Sequence, residues 1–154
     1  MLSEGDSNQV VFSTFDPVQG RVAVVATIEV KGAVSWDVSA DGSRIAVAET
    51  GLNNRIHILP VSVPGEAREL PIEGFRALVS VGWAAEGASL FVSGTAPEGG
   101  AIIRHVFFDG RSELLYKVDG SLERPTQSPD GRYLSFGQAT SNSNVWTIQN
   151  FERN

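Results

Sequence analysis

Apolar and polar residues alternate along most of this chain, and the apolar positions recur at every second residue rather than at every third or fourth. A period of two is typical of β-strands that bury one face. Glycine or proline interrupts the pattern within about ten residues, which favours short strands joined by tight turns. The sequence therefore predicts an all-β fold of about thirteen short strands with almost no helix.

One segment of this pattern occurs three times, each time as a glycine turn followed by an alternating strand. The third copy, at 128–136, reads Ser-Pro-Asp-Gly-Arg-Tyr-Leu-Ser-Phe. The turn glycines are Gly42, Gly87 and Gly131, so the repeats are 45 (87 − 42) and 44 (131 − 87) residues long. Such a period is typical of a four-stranded propeller blade. Apolar residues stand three and five positions after each glycine, at Ile45 and Val47, Leu90 and Val92, and Leu134 and Phe136.

The repeated turn has a structural explanation. An Asp side chain can bond to its local backbone, and Gly adopts a positive φ at little steric cost, so Asp-Gly reverses the chain between antiparallel strands. In the second copy Glu86 replaces the Asp, which weakens the turn signal there but not the period. We interpret six residues as structural repeat turns rather than as ligand sites: Asp41, Gly42, Glu86, Gly87, Asp130 and Gly131.

The repeat divides the chain into the parts of one β-propeller domain or segment spanning 1–154. We predict a half blade over 8–31, complete blades over 33–72 and 75–118, and an incomplete blade over 121–151. Closed propellers usually contain four to eight blades, so about three blades plus a half blade leave two possibilities. One of the N-terminal strands could complete the last blade of a four-bladed ring, or the chain could be an open part of a larger ring, which is the prediction that we favour. The exposed blade edges would invite pairing with another copy of the chain.

The segment 128–136, taken with Asn-Val-Trp-Thr-Ile at 144–148, resembles the WD-repeat-like blade of TolB-type β-propellers. The resemblance extends over 10–151. The end of the chain, at 143–146 and 150–151, also resembles the C-terminal propeller segment of bacterial winged-helix or protein-kinase regulators. This resemblance implies a membrane-tethered parent protein whose propeller is extracytoplasmic.

Composition and charge exclude several classes of function. The net charge is −6, whereas nucleic-acid affinity rests largely on Lys and Arg that neutralise phosphates, so no nucleic-acid partner is expected. The chain has no cysteine and therefore no disulfide or thiolate metal site. The first residues are polar and acidic, and no window approaches the roughly 18 apolar residues of a membrane span. We expect a soluble segment that has no signal peptide and makes no membrane contact.

Catalytic signatures are weak. His57 and His105 could act as bases at neutral pH, but they fall at different positions of the repeat and are expected to be structural or to face solvent. Asp37 and Glu49 are expected to be solvated strand charges. Neither a nucleophile elbow nor a phosphate-binding glycine loop occurs, and the acidic turn residues lack the spacing of a calcium loop. We predict that the protein is not an enzyme and uses no cofactor or metal.

Binding is the function that these observations favour. The three tryptophans, Trp36, Trp83 and Trp146, are interpreted mainly as packing between blades, although Trp146 could anchor a partner. Specificity is expected in the loops that differ between blades, at 51–54, 96–100 and 140–143. The candidate ligand or partner contacts are Trp146, Asn53, Asn54 and Asn142.

The sequence thus predicts a non-catalytic propeller module that binds a protein or a small ligand on its loop face or in its central channel. The resemblance adds a sensory or scaffolding role in a bacterial regulator. The alternative is the propeller gate of a serine oligopeptidase, which would require an α/β-hydrolase domain elsewhere in the protein.

Overall fold

A computed structural model describes residues 8–51, 53–61 and 67–140 of this chain. Within these ranges the chain forms twelve β-strands and no helix. The strands are β1 (Asn8–Asp16), β2 (Arg21–Val30), β3 (Val34–Val38), β4 (Arg44–Glu49), β5 (Arg55–Pro60), β6 (Arg68–Pro71), β7 (Ala77–Trp83), β8 (Ser89–Thr95), β9 (Ala101–Phe107), β10 (Ser112–Val118), β11 (Ser121–Gln127) and β12 (Leu134–Ala139). The predicted strand at 145–149 lies outside the described residues.

No helix capable of crossing a membrane occurs in the part of the chain that the structure describes.

The strands form four antiparallel sheets. Two sheets have four strands in chain order, β3-β4-β5-β6 (blade 1) and β7-β8-β9-β10 (blade 2). The other two, in the described ranges, contain the pairs β1-β2 and β11-β12. Sheets of four strands that follow the chain from one edge to the other are blades of a β-propeller. The predicted all-β fold with four-stranded antiparallel blades is confirmed.

The sheets stack face to face in chain order, with an apolar layer between each pair. The β1-β2 sheet meets blade 1 around Phe12, Ile45, Val47 and Leu59. Blade 1 meets blade 2 in the largest layer, which includes Ala46, Ala48, Ile56, Leu78, Leu90 and Val92. Blade 2 meets the β11-β12 sheet around Ala101, Ile103, Leu122, Leu134 and Phe136. A single blade cannot bury both of its faces, so each one depends on its neighbours.

The position of a residue after the turn glycine decides which neighbour it faces. Ile45 and Val47, three and five residues after Gly42, pack toward the preceding sheet, and the equivalent Leu90 and Val92 do the same. Side chains alternate between the two faces of a strand. Ala46 and Ala48 therefore pack toward the following blade.

The three repeat turns are closed by the same backbone bond. The N–H of Gly42, Gly87 and Gly131 donates over 2.8 Å to the carbonyl oxygen three residues earlier. All three glycines have φ near +70°, at 69°, 69° and 73°, which is the left-handed region that only glycine adopts without strain. The turn residues named from the sequence thus lie at the corners between the first two strands of the repeats.

Candidate functional site

The first strands of three successive sheets, β3, β7 and β11, border a cleft of about 630 Å³. Its walls come from 34–37 on β3, 79–82 on β7 and 123–126 on β11. Each of these is the first strand of its sheet along the chain. Among the described residues, each one pairs with another strand of its sheet on one edge only. The cleft therefore lies where the inner edges of the blades converge.

Side chains from neighbouring blades bind the backbone N–H groups of these inner edges. Ser35 Oγ accepts from Val81 N at 3.3 Å, and Ser80 Oγ accepts from Arg124 N at 2.8 Å. The Asp37 carboxylate accepts from Trp83 N at 2.7 Å. A buried backbone N–H without a hydrogen-bond partner lowers the stability of the folded state. These bonds therefore allow the edges of the inner strands to border a narrow cleft.

The serines that make these contacts occupy one position of the repeat. Ser35 lies seven residues before Gly42, and Ser80 lies seven before Gly87. Arg124 stands at the same position before Gly131. Sequence reasoning missed these residues, although the turn-glycine spacing carried the signal that would have found them.

A glycine sets the closest approach of two inner strands. A Cβ atom built on Gly82 would lie 2.0 Å from the carbonyl oxygen of Pro125. No side chain fits that gap, so β7 and β11 can be this close only with glycine at position 82. Pro125 donates no N–H, and its place on an edge strand avoids the loss of a ladder bond.

Arg124 is the unusual residue of the cleft. Its φ is +51°, a conformation that non-glycine residues adopt rarely, and the pairing of β11 with β12 is irregular between Glu123 and Thr126. Its side chain is exposed and forms no salt bridge with any of the described residues. Strained backbone of this kind is often found at functional sites. Arg124 and the neighbouring Glu123, both exposed, therefore bring one positive and one negative charge to the lining of the cleft.

The turn carboxylates are held by local hydrogen bonds. Asp41 accepts from the Ser39 hydroxyl at 2.6 Å and from the N–H and hydroxyl of Ser43, and these bonds lower the pKa of Asp41 to about 2. The Ser128 hydroxyl, at 2.5 Å, and Arg132 N likewise lower the pKa of Asp130. The turn itself thus occupies both carboxylate oxygens of Asp41 and the Oδ1 of Asp130.

The second turn uses different atoms for the same purpose. Ala84 stands where the other turns have serine, and Glu86 instead accepts a hydrogen bond from the Ser89 hydroxyl. Contacts between repeats then join the corners, because Arg44 donates to the Gly87 carbonyl at 2.7 Å and Ala85 N donates to Gln127 at 2.7 Å. The corners form a connected rim.

The two asparagines proposed as ligand contacts bind other parts of the chain in this structure. Asn53 donates to Glu49 Oε2 at 3.0 Å, and Asn54 donates to the Phe75 carbonyl at 2.7 Å. Asn54 also has a positive φ of 48°, and its Oδ1 is buried without a partner among the described residues. Asn142 and Trp146 lie outside the described residues.

The sequence predicts that Glu49 is a solvated strand charge, and this prediction is wrong. Its side chain is 7% exposed, and His57 Nε2 lies 2.8 Å from Glu49 Oε1. Burial raises the pKa of Glu49, but hydrogen bonds from His57, Lys31 N and Asn53 outweigh this effect and lower the pKa below its usual value. The pair lies in a smaller cavity of about 350 Å³. The alternation of apolar and polar residues predicts that Glu49 lies on a strand. It does not predict which charged side chain pairs with Glu49.

His105 is held by packing rather than by a charge. Its ring stacks on Phe91 with the centroids 4.7 Å apart, and its Nε2 lies 2.7 Å from the Ser89 hydroxyl.

Two of the tryptophans, Trp83 and Trp36, differ in how deeply they are buried. Trp83 is 5% exposed between the blades, whereas Trp36 is 54% exposed and contacts Phe12 edge-on. Trp36 therefore packs against the preceding sheet through Phe12, as the sequence predicts, but only in part, because about half of its surface is exposed.

Stacked four-stranded antiparallel sheets that converge on a cleft define this chain as β-propeller blades. No family model and no curated protein matches the sequence. A solved structure from Agrobacterium tumefaciens described as "putative TolB" is similar, with a TM-score of 0.41 and 14% sequence identity. The match covers 87% of this chain and 63% of that chain.

Proposed function

We propose that this chain is a non-catalytic propeller module that binds a protein segment or a small ligand in the cleft between β3, β7 and β11. The observation that carries the proposal is Arg124, an exposed arginine that lines this cleft and has no salt-bridge partner among the described residues. Its backbone is fixed by Ser80 and by the proline that follows it.

The cleft suits a ligand that carries a carboxylate. A guanidinium offers a planar set of donors that matches a carboxylate, and such charge-assisted bonds are stronger than neutral ones. Asp37 is engaged by Trp83 N, while Glu123 is exposed and suits an amine or amide on the same ligand. A short peptide with a free carboxyl terminus combines these features.

NMR titration with acetylated tripeptides tests this function. We expect peptides with a free carboxylate to shift the amide signals of Ser80, Gly82 and Arg124, and the same peptides with an amidated end to shift them far less. Arg124→Asn removes the guanidinium and keeps a residue that tolerates positive φ. It should weaken binding by at least about tenfold, since each tenfold loss corresponds to about 1.4 kcal/mol.

Arg132→Asn is the matched control, because Arg132 is an exposed arginine outside the cleft. It should bind the peptides like the unmodified protein. Equal shifts with acid and amide peptides, or equal affinity of the Arg124→Asn variant, would refute the carboxylate site.

We further propose that the module is the sensory or scaffolding part of a bacterial regulator. This step is supported by the resemblance of the residues at 143–146 and 150–151 to the ends of such regulators. The neighbouring coding sequence tests it. Winged-helix or kinase signatures upstream would support the regulator, whereas a downstream serine-hydrolase elbow would favour the gate of an oligopeptidase.

A further inference from the structure

Four Asp-Gly pairs lie in turns or bends between strands of the described chain. They are Asp41-Gly42, Asp109-Gly110, Asp119-Gly120 and Asp130-Gly131. An aspartate followed by glycine readily forms a cyclic succinimide, because glycine has no side chain to shield its backbone nitrogen. Since all four pairs share this dipeptide, differences in their reactivity depend on the structure around them.

Three of the pairs hold the aspartate in the same kind of turn. The backbone N–H two residues later donates to Asp41 Oδ1 at 3.0 Å, to Asp109 Oδ1 at 3.0 Å and to Asp130 Oδ1 at 3.1 Å. Side chains bind these carboxylates as well: Ser39 and Ser43 for the first, Arg111 for the second and Ser128 for the third. Each of these carboxyl groups is thus fixed by its own turn.

The glycine N–H of the same three pairs is also bound. It donates to the carbonyl oxygen three residues earlier, at 2.8 Å for Gly42, 3.1 Å for Gly110 and 2.8 Å for Gly131. The hydrogen bonds to the three carboxylates also lower their pKa, which reduces the protonated form from which water leaves most easily. These pairs must therefore lose several hydrogen bonds before the nitrogen can attack the carboxyl carbon.

Asp119-Gly120 has neither restraint. Among the described residues, no hydrogen bond or salt bridge involves the Asp119 carboxylate, and none involves the Gly120 N–H. Both residues are exposed. Lys117, two residues earlier, is paired with Glu98 instead, at 2.5 Å. No bond of this kind therefore opposes ring closure at this pair.

Packing requires glycine at position 120. Gly120 joins β10 to β11, and a Cβ atom built on it would collide with the carbonyl oxygen of Ala139. Its φ is +120°, which residues with a side chain rarely adopt. A larger residue would shield the nitrogen, but it does not fit here unless β11 or β12 moves.

We infer that Asp119 is a site of spontaneous conversion to isoaspartate. The Gly120 nitrogen attacks the side-chain carboxyl carbon of Asp119, and the carboxyl OH leaves with the nitrogen's proton as water, which closes a succinimide ring. Water then opens this ring. Attack at the side-chain carbonyl restores aspartate, whereas attack at the main-chain carbonyl leaves Gly120 joined through the side-chain carbon, as isoaspartate. The sequence of steps needs no reactant other than water.

The product changes the junction between blade 2 and the β11-β12 sheet. Isoaspartate adds one carbon atom to the main chain and shortens the side chain. Leu122, which is 1% exposed and packs with Ala101 and Ile103, lies two residues after Gly120. The extra atom must therefore be accommodated next to a packed layer. This inference concerns covalent chemistry and does not depend on the proposed ligand.

Ageing of the full chain in water enriched in heavy oxygen tests the site. Each ring opening inserts one heavy oxygen atom, so mass spectrometry of peptides prepared afterwards in ordinary water measures ring closure at all four pairs in one sample. We expect uptake at Asp119 at least about tenfold faster than at the other three, since those must first break hydrogen bonds. A methyltransferase specific for isoaspartate, supplied with S-adenosylmethionine, should label the same peptide.

Two variants serve as controls. Asp119→Glu keeps the charge, but its longer side chain closes a ring far more slowly. This variant should lose the uptake at position 119 and keep the rates of the other pairs. Ser128→Ala removes a hydrogen bond from Asp130 and should raise the uptake there without changing that at Asp119.

Unfolding in urea separates the effect of structure from that of sequence. Once the turns are lost, the four pairs should take up heavy oxygen at similar rates. Equal uptake at all four pairs in the folded protein would overturn the inference. A preference for Asp119 that persisted in urea would overturn it too, because the neighbouring sequence and not the missing hydrogen bonds would then be the cause.

Discussion

Glu49 connects three parts of the chain through one buried carboxylate. It lies at the end of β4 and accepts hydrogen bonds from Lys31 N between β2 and β3, from Asn53 in the following loop, and from His57 on β5. Glu29, Arg55 and Glu69 line the same cavity, and Arg55 is paired with Glu69 at 3.4 Å. This carboxylate therefore fixes the junction between the β1-β2 sheet and blade 1.

Glu49→Gln should lower the free energy of unfolding by about 1–3 kcal/mol at pH 7, because it removes a charged acceptor from buried donors. The pKa of Glu49 is lowered in the folded state. Its contribution is thus complete above the unfolded pKa of about 4.3 and is lost as the pH falls through the folded pKa. Urea denaturation at pH 7 and pH 3.5 should show a smaller acid destabilisation for the variant.

Glu29→Gln is the control for this change, since Glu29 is an exposed carboxylate that lines the same cavity. It should keep both the stability and its pH dependence. If Glu49→Gln unfolded with the same acid dependence as the unmodified protein, Glu49 would not be the titrating group.

At the residue scale the sequence predicts backbone roles better than charge pairing. The spacing of the repeat was enough to assign the three turn glycines, Gly42, Gly87 and Gly131, to their turns. Glycine adopts the positive φ of such a turn without steric strain, whereas other residues do not. The pairing of Glu49 with His57 depends on the register of β4 and β5 and on the course of the loop between them. Neither is encoded in a local pattern, so the buried pair could not be predicted.

The strands β7 and β11 show how two elements of different blades determine the candidate site. Their approach at Gly82 and Pro125 brings Arg124 beside Ser80 and narrows the cleft. The turn period predicted that these strands are equivalent members of a repeat. It did not predict the cleft, because the cleft depends on contacts between repeats and not on the pattern within one.

Gly82→Ala should separate β7 from β11, since its Cβ would lie 2.0 Å from the Pro125 oxygen. We expect a loss of about 1–3 kcal/mol in the free energy of unfolding, the usual cost of overpacking, measured by chemical denaturation. Gly137→Ala is the matched control, because its nearest atom, the Glu123 oxygen, would be 3.7 Å away. Its stability should change by less than about 1 kcal/mol. Equal losses in the two variants would show that the approach at Gly82 is not constrained.

For the whole molecule, the uncovered surfaces follow from the way a propeller buries apolar area. Every sheet requires a neighbour on both faces, and the described strands leave the outer face of β1-β2 and the outermost strand of blade 2 without one. The sequence predicted open edges from the blade count. It did not predict which side chains remain exposed, because Val22 and Trp36 have the same alternating pattern as buried strand residues.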